Sequence, residues 1–348
     1  MSTTLEHECA IEWRRFPVAA SKPDARAWLE LVELRGRDPK TVEAYGRAIN
    51  EFLVWLDGRP HRGLGDADLY LFISHLRSRG KLRQLSSGAA LKSSTLQQKL
   101  TALRLFYDDL IRRGIVEGHP LPRGTWSDNP RDRRRGPLAR EYALPWIPND
   151  SQWSQFLQVA RHEPVRTRLM ILLAYEGALR RETLVGLQVG DVDLPNRLVV
   201  LRPEIVKDRH ANVVTFSRTT AKLYAQYLAE WKMIATRSRK KNFFLFRSLS
   251  DRNYGAGLSV WTWNKVVTAL AARAELPRFT PHTFRHLRLT HMARAGFELL
   301  EIAKYAGHRS LETTMQYIHL SGRDLDVKVA RNMQIMEEQI ATVAHTLG

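Results

Sequence analysis

Pro281-His-Thr-Phe-Arg-His286 opens a stretch that runs through Gly307-His308 and closes at Thr313-Thr-Met-Gln-Tyr317. Thr280 followed by Pro281 reads as a helix entry, because a hydroxyl can cap free N–H groups and proline fits the first helical position. A helix from Pro281 to Ala295 follows, and the three-residue step from His282 to Arg285 puts both side chains on one face. Gly307 ends a second helix, Glu298 to Tyr305, leaving His308 to project from a turn. Together the stretch supplies a phenol, imidazoles and a guanidinium, the parts needed to attack a phosphodiester without a metal ion. No metal site and no cofactor are therefore expected.

Composition narrows the partner. Lysine and arginine number 54 against 36 acids, a formal net charge of +18, while 44% of residues are apolar. A folded protein with a polyanionic partner fits this balance better than a disordered basic chain. Cys9 is the single cysteine, so an internal disulfide and cysteine-based zinc sites are excluded. Neither a secretory leader nor a membrane-length apolar run is evident, so the expected location is the cytoplasm, away from any membrane.

The same residues carry a family likeness. The Pro281 to His286 fragment, Gly307-His308 and Thr313 to Tyr317 resemble the tyrosine recombinase (phage integrase) family. Gly177-Ala-Leu-Arg-Arg-Glu-Thr-Leu-Val-Gly-Leu187 resembles that family's first arginine motif, and alignment backwards from Leu187 puts Arg180 at the catalytic position, with Arg181 a competitor. The acid usually found three residues after that arginine is replaced by Thr183.

The resemblance implies a catalytic set of Arg180, Lys207, His282, Arg285, His308 and Tyr317. Two planar guanidiniums suit the non-bridging oxygens of a phosphate gathering charge. Tyr317 is the nucleophile, and with a phenol pKa of about 10 only roughly one molecule in a thousand is ionised at neutral pH, so cations or a base must activate it. By resemblance His308 donates to a phosphate oxygen, and His282 exchanges the Tyr317 proton. Lys207, with Arg209 and His210 as alternatives in its loop, protonates the departing 5′ oxygen. No role falls to His286 or His291. The implied activity is site-specific recombination of double-stranded DNA through a 3′-phosphotyrosyl intermediate and a four-way junction, by a tetramer assembled on DNA.

Turn signals and helical periodicity set the organisation. The fold class expected is mainly α with a small β-sheet, in two domains. Residues 1–22 form an N-terminal extension and 23–119 a helical, SAM-like core-binding domain. Residues 120–148 form a basic, proline-rich linker, and 149–348 a mixed α+β catalytic domain with a C-terminal helical tail. The first domain holds four helices: Asp24 to Leu34, one opening at Asp38-Pro39, Asp66 to Arg79, and one from Ser93 or Ser94 towards Gly114. Lys92, Ser93, Thr95, Gln98, Lys99 and Arg104 gather on the last of these, where free N–H groups and cations suit phosphate. Arg133, Arg134 and Arg135 in the linker are further DNA contacts. In the second domain, Arg197 to Arg202 and Ala211 to Phe216 read as a hairpin. The helix Asp326 to Ala344 is amphipathic and suits packing on its own domain, while by resemblance it docks instead on a neighbouring copy.

Two other readings compete. A metal-dependent nuclease or transposase needs converging carboxylates, yet the close acidic pair, Asp191 and Asp193, reads more simply as a turn and strand start. A non-catalytic DNA-binding regulator on the same fold would not need all six reactive positions filled in order.

Overall fold

The computed structural model describes residues 11–87, 91, 93–120, 144–207, 209–237, 243–321, 333–334 and 336–337. The chain divides into two compact units, Met1–Tyr142 and Ala143–Gly348. Lys92, Arg133, Arg134, Arg135 and most of the expected helix over 326–344 lie outside the described residues. The architecture is mainly helical, with one small sheet in the second unit.

The first unit is built from α1 (Pro17–Ser21), α2 (Pro23–Leu34), α3 (Pro39–Leu56), α4 (Asp66–Ser87) and α5 (Ser93–Arg112). Asp38 caps α3, its Oδ1 accepting the Lys40 N–H at 2.8 Å, and Pro39 takes the first helical position. Val42, Ile49, Phe52 and Leu56 then fall on the buried stripe. Leu96, Leu100, Leu103, Phe106, Tyr107 and Leu110 do the same on α5. Aromatic edges close the core: Trp28 meets Phe106 at 5.5 Å between centroids, and Phe52 meets Phe72 at 5.1 Å.

Two features of this unit differ from the sequence reading. The stretch taken as an extension contributes Ile11, Phe16 and Ala19 to the core, and Phe16 packs so closely over Gly46 that a Cβ there would lie 2.8 Å from its ring. Helix α4 does not stop at Arg79 but continues through Gly80 to Ser87. One glycine costs a helix only about 1 kcal/mol, and Lys81, Leu82, Arg83, Gln84 and Leu85 after it are all good helix formers.

The second unit opens with α6 (Asp150–Ala160), held by a reciprocal cap in which Asn149 and Gln152 exchange side-chain to backbone hydrogen bonds at 2.8 and 3.0 Å. Helices α7 (Val165–Glu176) and α8 (Arg181–Gly186) lead into a three-stranded antiparallel sheet. Its strands are β1 (Val192–Asp193), β2 (Leu198–Leu201) and β3 (Asn212–Thr215), with Val192 opposite Val199 and Leu201 opposite Asn212. The acidic pair is used structurally here. Buried Asp191 accepts from Arg202 at 2.6 Å and from the Gln188 N–H at 2.8 Å, and Asp193 closes the β1–β2 turn on Asn196.

Helices α9 (Arg218–Arg237), α10 (Val260–Arg273), α11 (Pro281–Arg294), α12 (Leu299–Ala306) and α13 (Glu312–Leu320) complete the unit. The core packs Phe156 flat against Phe279, with centroids 4.3 Å apart, and sets the Phe284 edge to both. Phe284 belongs to α11, so the aromatic core fixes the helix that carries His282, Arg285 and His286. No helix among the described residues is long and apolar enough to cross a membrane.

Candidate active site

The end of α7 and the start of α11 make the centre of the site. The last turn of α7 closes as a Schellman motif, with the Leu179 N–H bonded to Ala174 O and the Ala178 N–H to Tyr175 O, both at 3.0 Å. That motif wants a left-handed residue, and Ala178 occupies the position at φ +47° where glycine is the usual choice. The Ala178 carbonyl is held by Arg285, whose Nη1 donates to it at 2.7 Å. Two residues later, Arg180 stands at the N-cap of α8, its carbonyl accepting the Leu184 N–H at 2.9 Å.

Arg285 is buried to 7% exposure, which a lone guanidinium could not tolerate. Its Nη2 donates to Ala306 O at 2.6 Å and to His308 Nε2 at 2.9 Å. Because Nε2 accepts, the His308 proton sits on Nδ1, which donates to Thr314 Oγ1 at 2.8 Å. Gly307, at φ +63° and ending α12, turns the chain so that His308 faces the arginine. Arg285 thus ties together the α7 turn, the end of α12 and His308.

Tyr317 projects from α13 into the same cluster and is 1% exposed. Its ring lies nearly parallel to that of His308, 8° apart in plane, with centroids separated by 6.1 Å. Burial raises the phenol above its ordinary value, while Arg285 and Arg180 pull it back by favouring the phenolate. Both expected arginines therefore act on the expected nucleophile. The competitor Arg181 is instead paired with Glu182, Nε to Oε1 at 3.0 Å.

The imidazole that meets the Tyr317 hydroxyl is His286, whose Nδ1 lies 3.0 Å from it, although the sequence reading left this residue without a role. Burial, followed by the charges of His282 and Arg285, drives His286 down to about 4. With its pKa held so low, His286 is neutral near pH 7 and stands within hydrogen-bond reach of the Tyr317 hydroxyl. His282 is exposed on the open side of the helix. Partial burial lowers its pKa, as do the charges of Arg181, Arg285 and Arg180, while Glu182 opposes them. His291 makes a polar contact away from this cluster, with Tyr175 at 2.7 Å. The signal that could have flagged His286 is its position: one residue after Arg285, it faces α13 instead of solvent.

Lys207 is exposed on the turn between β2 and β3 and is not drawn into the Arg285 cluster. In the first unit, Ser93, Thr95 and Gln98 lie on the opening turns of α5, whereas Lys99 is ion-paired with Glu51. Arg104 lies further along α5 with its Nε buried.

Two guanidiniums, imidazoles and a phenol gathered on a helical frame define a tyrosine-dependent phosphodiester transferase. Residues 149–323 match the phage integrase family, and residues 26–117 match the phage integrase N-terminal SAM-like domain. The chain belongs to the phage integrase family, and is a site-specific recombinase, an enzyme of DNA cleavage and rejoining. It is 28% identical over 298 residues to tyrosine recombinase XerC of Pelobacter propionicus, covering 84% of this chain and 89% of the relative. It is 23% identical to tyrosine recombinase XerD of Listeria monocytogenes, covering 84% and 91%. Its fold resembles XerH site-specific recombinase bound to a palindromic difH substrate, with TM-score 0.66, 17% identity, and 88% of this chain and 84% of that chain covered. The Tn1549 transposon integrase in complex with a circular intermediate DNA gives TM-score 0.65 at 16% identity, covering 89% and 98%.

Proposed function

We propose that the protein exchanges strands between two double-stranded DNA sites, with Tyr317 as the nucleophile. Its hydroxyl oxygen attacks the scissile phosphorus, the bond from phosphorus to the 5′ oxygen breaks, and a 3′-phosphotyrosyl link conserves the ester. The phenol proton goes to His282, and Lys207 supplies the proton for the departing 5′ oxygen. Arg180 and Arg285 neutralise the non-bridging oxygens as charge builds, with His308 beside them. A 5′ hydroxyl from the partner duplex then reverses the attack, and a second round resolves the four-way junction.

The observation that carries this reading is the single cluster in which Tyr317, Arg285, His308 and His286 are joined through hydrogen bonds at 2.9 and 3.0 Å and through ring packing. In this reading residues 23–119 grip DNA through Lys92, Ser93, Thr95, Gln98, Lys99 and Arg104, with Arg133, Arg134 and Arg135 adding phosphate contacts. Lys99 has to exchange Glu51 for phosphate to take part. A tetramer forms on DNA in the cytoplasm through the C-terminal segment 326–344.

The test is a suicide duplex whose 5′ product diffuses away, trapping covalent protein. Tyr317→Phe should bind the site at wild-type affinity and yield no trapped complex. A trapped complex with that variant would remove Tyr317 from the role.

A further inference from the structure

Lys207 poses a positioning problem. It is an exposed lysine on a turn, with a long flexible stem, and a proton donor must meet its acceptor within hydrogen-bond reach. Precision has to come from the backbone that bears it. Both ends of that turn are anchored to parts of the site already described.

On the N-terminal side, Thr183 Oγ1 donates to the carbonyl of Ile205 at 3.0 Å. Thr183 is 3% exposed and lies in α8, the helix that Arg180 caps. The Ile205 side chain also closes on the same helix, since a Cβ added to Gly186 would come within 3.0 Å of it. On the C-terminal side, Asn212 Nδ2 donates to Tyr305 O at 3.1 Å and to Lys304 O at 3.4 Å. Asn212 Oδ1 accepts the Val213 N–H at 2.9 Å, which fixes the direction of the amide. Both carbonyls lie in the last turn of α12, with Ala306 between them and Gly307-His308. His210 and Arg309 make a further link between the same two segments at 3.3 Å. Tyr305 then reaches back, its hydroxyl donating to Glu176 O at the end of α7 at 2.6 Å.

We propose that Thr183 and Asn212 are positioning residues for the reaction, holding the Lys207 turn between the helix of Arg180 and the turn of His308. Thr183 stands three residues after Arg180, and its hydroxyl bonds the carbonyl of Ile205, at the entry to the lysine turn. The inference rests on the reading of Lys207 as the proton donor, and the test separates the two.

A sulfur leaving group needs no proton, because a thiol ionises near pH 8.5. Single-turnover cleavage is therefore measured on duplexes with the bridging 5′ oxygen intact or replaced by sulfur. Thr183→Val keeps the buried shape and removes only the hydroxyl, and Asn212→Ala removes an amide at the surface. Each should slow cleavage of the oxygen duplex roughly 10-fold while staying within about twofold of wild type on the sulfur duplex, at unchanged DNA affinity. Equal losses on both duplexes, or no loss on either, would overturn the positioning role. Lys207→Ala is the reference: if sulfur does not restore its cleavage, the proton-donor reading fails first and the positioning role falls with it.

Discussion

The two units solve opposite problems. The first buries mainly aromatic and aliphatic side chains; its one buried charged residue among those described, Asp109, pairs with Arg112 and Arg113 at the end of α5, and Arg15 pairs with Glu43 at the surface. The second draws charge and polarity inward: Arg285, Tyr317, Thr183 and Thr314 are all buried, the first three held by partners 22 to 107 residues away and Thr314 by nearby His308. Burial stabilises the first unit directly, by about 25 cal/mol per Å² of apolar surface. Part of the second unit's stability is committed to holding groups that water would hold better. Surface charges can be removed without unfolding, whereas a buried guanidinium with three partners is part of the framework.

Arg285→Ala should expose that double duty most strongly. Cleavage is expected to fall by about 10²–10³ through loss of transition-state charge neutralisation, with DNA affinity little changed. The carbonyls of Ala178 and Ala306 also lose their donor, at about 1–3 kcal/mol for each buried group left unsatisfied. Hydrogen exchange in the full chain should show loosening confined to the second unit; unchanged protection there would mean the guanidinium is chemical only.

The matching change in the first unit is Phe106→Ala. It should cost about 3–5 kcal/mol of that unit's stability, because Phe106 is wholly buried against Trp28 and Tyr107. Cleavage by protein already bound to DNA should be spared. A comparable loss in that bound-state rate would break the division of labour.

Acid gives the smallest contrast. His282, His286 and His291 all have pKa values below the ordinary 6.5 in the folded chain, with His286 at about 4. A folded-state pKa below the unfolded one stabilises at high pH, so this contribution is full above 6.5 and is lost as pH falls towards about 4. The second unit should weaken over that window by about 2–3 kcal/mol from His286 alone, and His286→Asn should flatten the dependence. A first unit equally sensitive over the same range would blur the comparison, and His61, also lowered by burial, is the residue to watch there.

Helix periodicity made the first unit legible, since α3 and α5 each bury one stripe and end at turn residues. Helix α4 escaped because a glycine inside good helix formers reads as a stop, yet propagation carried the helix past it. Phe16 escaped because a short segment shows no period, and only Gly46 across the unit explains why its ring is buried. In the second unit, the resemblance of the Gly177 to Leu187 and Pro281 to Tyr317 motifs to the phage integrase family singled out Arg180, Arg285, His308 and Tyr317.

The chain's residues determined by themselves the helical class, the strong positive charge and the reactive groups available for phosphate chemistry, because periodicity, net charge and residue type are read from the sequence alone. Tertiary structure alone decided that His286 holds the Tyr317 phenol, that Ala178 adopts a left-handed turn beneath Arg285, and that Thr183 and Asn212 grip the lysine turn. Hydrogen bonds spanning 22 to 107 residues create those assignments. They depend on which carbonyls and rings folding brings within 3 Å or so, a distance that no spacing along the chain encodes.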